Sequence, residues 1–212
     1  MSGDHTPAQK QRRDVVVIGA GSGGLTAVCK LLGDLPRTFD AAILLALDAG
    51  SQPASSVLQI LRGYSHIPII YAADGVMVRR GRVVVAPARQ HMVVVPPEII
   101  SLEYERSFSE GGPSVNRLFE TAAAAFGRRV IGIVLSGASH DGAAGLTRIE
   151  AAGGIGVVQE PREAAQSGMP ARALRMDHPD YCCTLEQMAP LLVKLVDGEL
   201  PAIASIQPGE NK

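Results

Sequence analysis

With 212 residues, 46% of them hydrophobic and 19% charged, the chain is long enough for one sizeable core. A formal net charge of -1, with neither sign gathered into long runs, argues against electrostatic capture of nucleic acid or an anionic membrane and directs attention to protein surfaces and small molecules. Three cysteines, two of them adjacent, do not form a disulfide framework, the N-terminus lacks an apolar signal core, and no apolar run approaches the roughly 20 residues of a membrane helix, so a cytoplasmic protein without membrane insertion is expected.

Residues 1–13 are polar and aperiodic and read as a disordered tail, with structure starting near Asp14. Val15 to Ile18 is a β-branched run ended by Gly19, the pattern of a strand buried on both faces of a parallel sheet. A helix over Gly24 to Leu32, a strand over Ala41 to Leu47 and a helix over Ser55 to Leu61 continue the alternation of an α/β protein. Four short strand-like runs follow, Ile69 to Ala72, Arg82 to Ala86, His91 to Val95 and Ile99 to Tyr104, which read as an antiparallel insertion or sheet edge. Alternation then returns: Asn116 to Ala125 as helix, Val130 to Leu135 as strand, Ala143 to Ala152 as helix, Gly156 to Gln159 as strand, and Leu185 to Val196 as a last helix. With no repeat or composition break, one domain over 14–197 is expected, followed by a tail over 198–212. Its fold class is a single doubly wound, mainly parallel sheet with helices on both faces and a short antiparallel region, and its crevice belongs at the carboxyl ends of the strands.

Gly19-Ala20-Gly21-Ser22-Gly23-Gly24 follows a strand, opens a helix and satisfies the G-x-G-x-x-G spacing of a dinucleotide turn, where free amides at a helix N-terminus face a phosphate. A dinucleotide site also needs an acidic residue about 20 positions on, for the ribose hydroxyls. The only candidate, Asp48, lies 29 positions after Gly19. By itself the loop fits a nucleotide site or a plain glycine-rich turn equally well, with Ser22 in the latter case a helix N-cap.

Several blocks taken together resemble the chemotaxis protein-glutamate methylesterase (CheB-type) catalytic domain. Ile18 to Gly24 is similar to that family's first strand-to-helix turn, and Asp74-Gly75, Ala86-Pro87 and His91-Met92 resemble its middle-strand series. Pro113 to Phe119 resembles its helix-opening segment, Leu135-Ser136-Gly137 and Asp141 to Gly145 the turn with its catalytic aspartate, and Gly168-Met169-Pro170 a late loop. The blocks keep one order from about Asp14 to Val196. The resemblance implies hydrolysis of glutamate methyl esters on chemoreceptors, and in many members deamidation of glutamine, by a serine-histidine-aspartate triad. Its partners would be the cytoplasmic helices of chemoreceptors or another chemosensory protein. It often includes an N-terminal receiver domain; with about 13 residues before the first strand, such a receiver would act in trans or on a longer chain.

Two of the three triad positions depart from the family. Its serine falls on Gly21, with Ser22 on the neighbouring threonine; its histidine falls on Asp48; its aspartate falls on Asp141. A serine hydroxyl is a weak nucleophile without a base to take its proton, and a carboxylate with an ordinary pKa near 4 is a poor base. The resemblance therefore implies ester hydrolysis that is weak or lost, or a binding module without chemistry. Ser22 is the only nearby hydroxyl that could serve as a relocated nucleophile, so Ser22, Asp48 and Asp141 are the candidate catalytic residues. His66, His91, His140 and His178 do not suit the role of replacement base, no cofactor is implied, and no set of residues has zinc-site spacing.

Overall fold

The computed structural model describes residues 12–50, 52–104, 112–176 and 179–202. The expected tails at 1–13 and 198–212 lie largely outside these residues. Arg12 and Arg13, which composition assigned to the first tail, are nevertheless held: Arg12 pairs with Asp40 at 2.6 Å and Arg13 is buried.

Nine strands and six helices are described: β1 (Val15–Ala20), α1 (Gly24–Asp34), β2 (Ala42–Leu47), α2 (Ala54–Tyr64), β3 (Ile69–Tyr71), β4 (Arg82–Val85), β5 (His91–Val95), β6 (Ile99–Glu103), α3 (Val115–Phe126), β7 (Val130–Val134), α4 (Ala143–Ala151), β8 (Ile155–Gln159), α5 (Gly168–Met176), β9 (Tyr181–Cys183) and α6 (Leu185–Val196). Seven strands form one sheet in the order β3-β4-β2-β1-β7-β8-β9, every neighbouring pair parallel. The chain moves from β1 to β2 on one side and returns through β7 on the other, so the strand order reverses between β1 and β7. In an open parallel sheet, that reversal leaves a crevice at the carboxyl ends of the strands.

Strand residues alternate between two cores because successive side chains leave a strand on opposite faces. Val16, Ile18, Ile43, Leu45, Ile131 and Ile133 pack with α1, α2 and α6. Val15, Val17, Leu44, Val84 and Val134 pack with α3, α4 and α5 and with the β5–β6 hairpin. Burial on both faces is why β1, β2 and β7 read as uninterrupted aliphatic runs.

Three features differ from the sequence expectation. Ile69–Tyr71 and Arg82–Val85 form the edge of the main sheet, one of the two expected alternatives, but pair in parallel, and among the described strands only β5 and β6 pair antiparallel. The block at Gly168-Met169-Pro170 is the first turn of α5 rather than a loop; its proline sits in the first helical turn, where no intrahelical N–H is needed. Ser22 is not an N-cap: Gly23 occupies that position with φ 77°, without a side-chain cap, and Ser22 is exposed.

At the amino ends of the strands, charge replaces aliphatic packing. Asp14, 3% exposed, receives Arg80 at 2.6 Å and Arg129 at 2.8 Å; Arg80 continues to Asp40 at 3.3 Å, and Arg129 to Glu98 at 2.7 Å. This network ties the starts of β1, β2, β4 and β7 to the β5–β6 turn. Burial alone would push the Asp14 carboxyl up, but Arg129 and Arg80 together outweigh it and hold the group below its ordinary value. A lowered carboxyl pKa contributes stability that is complete above the unfolded-state value and is lost as pH falls through the folded-state value. Asp14→Asn should therefore destabilise at neutral pH, by about 1–3 kcal/mol, below the range for fully buried pairs because both guanidinium groups keep access to water. Denaturant titrations of both proteins at pH 7 and near pH 3 check this: the gap should narrow at the lower pH, and an equal gap at both would show that the ion pairs do not carry the effect.

Candidate functional site

The register pairs Ala20 with Leu47 and Gly19 with Val134, so Gly21 and Asp48 are the residues that leave neighbouring strands side by side, and β7 leaves the sheet on the other side of Gly21. The Asp48 N–H donates to Ala20 O at 3.0 Å, and the Gly21 N–H to Ser136 O at 3.0 Å. Gly21, Asp48 and the loop carrying Asp141 thus follow three consecutive strands, β1, β2 and β7. Ser22 projects from the same turn into solvent.

The β1 and β7 loops touch backbone to backbone. A Cβ on Gly137 would stand 2.9 Å from Gly21 N and 2.1 Å from Met169 Sδ, and a Cβ on Gly24 would stand 2.6 Å from Ser136 O. Glycine is required at 137 and 24 by this contact, not by a left-handed backbone. Gly21 has slightly more room: a Cβ there would meet Gly137 Cα and Met169 Sδ at 3.0 Å, a fit that asks the Gly137 backbone as well as Met169 to give way slightly. Buried Ser136 fastens the β7 loop: its N–H donates to Gln159 Oε1 at 2.8 Å and its Oγ accepts the Gln166 N–H at 2.9 Å. Gly137 accepts the Met169 N–H at 2.8 Å, which seats the start of α5 on the crevice. The Gly21 and Gly24 amides, which a phosphate would need, donate instead to Ser136 O and Gly21 O.

Asp141 faces the N-terminus of α3. Its Oδ2 accepts the Val115 N–H at 2.6 Å, and its Oδ1 accepts those of Asn116 at 3.0 Å and Gly142 at 2.9 Å. Asn116 answers for α4, its Oδ1 accepting the Gly142 N–H at 3.1 Å and the Gly145 N–H at 2.7 Å. The Ser114 N–H donates to His91 Nδ1 at 2.9 Å. Ser114 Oγ accepts the Arg117 N–H at 3.4 Å. The first amides of α3 are therefore all occupied, and Asp141 acts there as a helix-terminal acceptor.

Asp48 turns away from that cluster. Its Oδ1 accepts the Gly50 N–H at 2.9 Å, a local turn that a short acidic side chain readily forms. Beside it lies a cavity of about 340 Å³, lined among others by Leu47, Val57, Tyr71, Val85 and Arg89. Gly21 and Asp141 do not line it.

Among the described residues, His66 and His140 are exposed, and buried His91 is engaged at α3. His178 lies outside the described residues. Burial pushes the Cys183 thiol up to about 12, burial with nearby Glu160 raises Cys182 to about 11, and burial also raises Cys29, all of which disfavour the thiolate form. No group of three or more potential metal ligands occurs among the described residues. Sequence reasoning missed Ser136, Gln159, Gln166, Asn116 and Met169 as the residues that hold the loops; only Asn116 carries a local signal, as a good acceptor near a helix start.

The CheB methylesterase family model matches residues 16–192. A protein of Leptospira interrogans (serovar copenhageni) called a putative protein-glutamate methylesterase/protein-glutamine glutaminase is 32% identical over 187 residues, covering 88% of this chain and 97% of that protein. Protein-glutamate methylesterase/protein-glutamine glutaminase 2 of Methanosarcina acetivorans is 32% identical over 191 residues, 87% of this chain but 54% of its own length. The crystal structure of the Thermotoga maritima CheB methylesterase catalytic domain superposes with a TM-score of 0.80 at 23% identity, over 88% of this chain and all of that one, and so shares the fold. With 16–192 matched in one continuous span, the chain belongs to the CheB methylesterase family.

Proposed function

We propose that this chain is a chemosensory domain, one unit over 14–197, that acts in the cytoplasm on chemoreceptor helices or a partner chemosensory protein, with ester hydrolysis weak or lost. The observation that carries this is Gly21: the position that leaves β1 between Asp48 and the Asp141 loop has no side chain. A triad without nucleophile and base retains roughly 10³–10⁴-fold over water, from oxyanion stabilisation and binding alone. Asp48 supplies a carboxylate where the family reading calls for imidazole, and Asp141 is taken up by backbone amides. Family membership and the intact loop scaffold support binding of the family's kind of partner. That no helix among the described residues is long and apolar enough to cross a membrane fits a protein that meets receptors from outside the bilayer. Dinucleotide binding is disfavoured because the Gly21 and Gly24 amides already have acceptors.

Hydrolysis of methylated receptor should be at least about 10³-fold slower than by a family member with a complete triad. Gly21→Ser with Asp48→His should raise the rate more than the sum of the single changes, because nucleophile and base act as a unit. Methanol release from radiolabelled receptor measures both. An ordinary rate in the unmodified protein, abolished by Ser22→Ala, would make exposed Ser22 the nucleophile and overturn the reading.

Asp141 has a separate expected effect. Asp141→Ala removes the acceptor of three amides and should cost about 1–3 kcal/mol of folding stability. Urea titration gives the value; a change within about 0.5 kcal/mol would mean that solvent replaces the carboxylate without loss.

A further inference from the structure

The cavity beside Asp48 carries two opposite charges that do not meet. Asp48 uses one carboxylate oxygen for Gly50, and Arg89 stands on the wall of the same cavity; neither forms an ion pair with a described residue. Elsewhere on this molecule acidic groups facing a guanidinium close on it: Arg12 on Asp40, Arg80 and Arg129 on Asp14, Arg117 on Glu103. The buried apolar side chains of Leu47, Val57 and Val85 line the same cavity. Tyr71, whose hydroxyl donates to Ala54 O, steadies the α2 side of the wall. Arg89 is also held at φ 65°, a left-handed backbone that is unfavourable for a side chain of its size, and such residues gather at ligand sites.

A volume of about 340 Å³ stands at the small end of ligand cavities. The complement to a carboxylate anchored by the Gly50 amide, an exposed guanidinium on the rim and an aliphatic floor is a small molecule with a cationic end, an anionic end and an apolar body. We propose that this cavity binds a free amino acid with an aliphatic side chain, its ammonium on Asp48, its carboxylate on Arg89 and its side chain on Leu47, Val57 and Val85. A carboxylate acceptor in place of an imidazole is what gives the cavity its preference for the ammonium. The cavity includes Asp48, so the proposal rests on the functional reading of that position; ligand-induced amide shifts and methanol release from receptor are separate readouts, so a failure of the one is distinguishable from a failure of the other.

The test is a titration of isotopically labelled protein with L-leucine, N-acetyl-L-leucine and L-leucinamide, followed by amide NMR shifts. L-Leucine should shift resonances of residues around 47–57 and 85–89, with the two singly charged analogues weaker by about tenfold or more, the effect of losing one charge-assisted hydrogen bond. Asp48→Asn and Arg89→Gly should each weaken L-leucine similarly. Arg89→Gly also suits the left-handed backbone, so it should stay folded, which the dispersion of its spectrum verifies. Equal affinity for the three probes, shifts confined to other surfaces, or no shifts up to about 20 mM, where binding falls below any useful affinity, would overturn the proposal.

Discussion

The reciprocal attachment of α3 and α4 at their first turns is the constraint on which the crevice depends. Asp141, from the loop before α4, accepts the leading amides of α3, and Asn116, from the first turn of α3, accepts amides of α4. Each helix thereby satisfies donors that would otherwise be orphaned, and each fixes the other's height above the sheet. Val115 is held in the same step, and its side chain fills the space that a Cβ on Gly19 or Gly142 would claim, at 2.1 Å and 2.9 Å. Glycine at the end of β1 is thus a packing consequence of where α3 begins.

On the proposed carry-over, that constraint gives Asp141 a structural reason to be present whatever stands at the other two positions. A carboxylate that only oriented an imidazole would lose its role when the imidazole was replaced. Asp141 has further work at the α3 terminus, where a negative group is favoured by the partial positive charge of the helix end as well as by hydrogen bonding. Retention of Asp141 is therefore compatible with loss of chemistry, and its presence alone is poor support for turnover.

The sequence made the sheet legible because its central strands are buried on both faces and carry aliphatic runs; β1, β2 and β7 were placed within a residue or two. The order of the edge was not legible. Ile69–Tyr71 is only three residues long and half-buried, and its parallel partner β4 is reached through a turn whose glycines equally suit a hairpin. The first turn of α5 was hidden by its opening Gly-Met-Pro, which is helical here because Met169 N–H is held by Gly137 O. In the site, the positions of Gly21 and Asp48 followed from strand ends, whereas the engagement of Asp141 required knowing that α3 starts beside α4, a contact between segments 26 residues apart.

The charge at Asp48 reaches beyond the missing base. Strand neighbours in a sheet lie about 5 Å apart, so the backbones of Asp48 and Gly21 leave β2 and β1 side by side, although the Asp48 carboxylate is turned to Gly50. Ester hydrolysis develops negative charge on the carbonyl oxygen, and a fixed anion nearby opposes it, most strongly where water is excluded. A hydroxyl restored at position 21 alone would therefore face a second handicap besides the lack of a proton acceptor: its transition state would form beside the wrong sign of charge. A cationic group binding to Asp48 would reduce that opposition. If Asp48 stands at the family's imidazole position, as proposed above, the crevice suits holding a cation better than stabilising an oxyanion, and the two uses are physically exclusive at the same atoms.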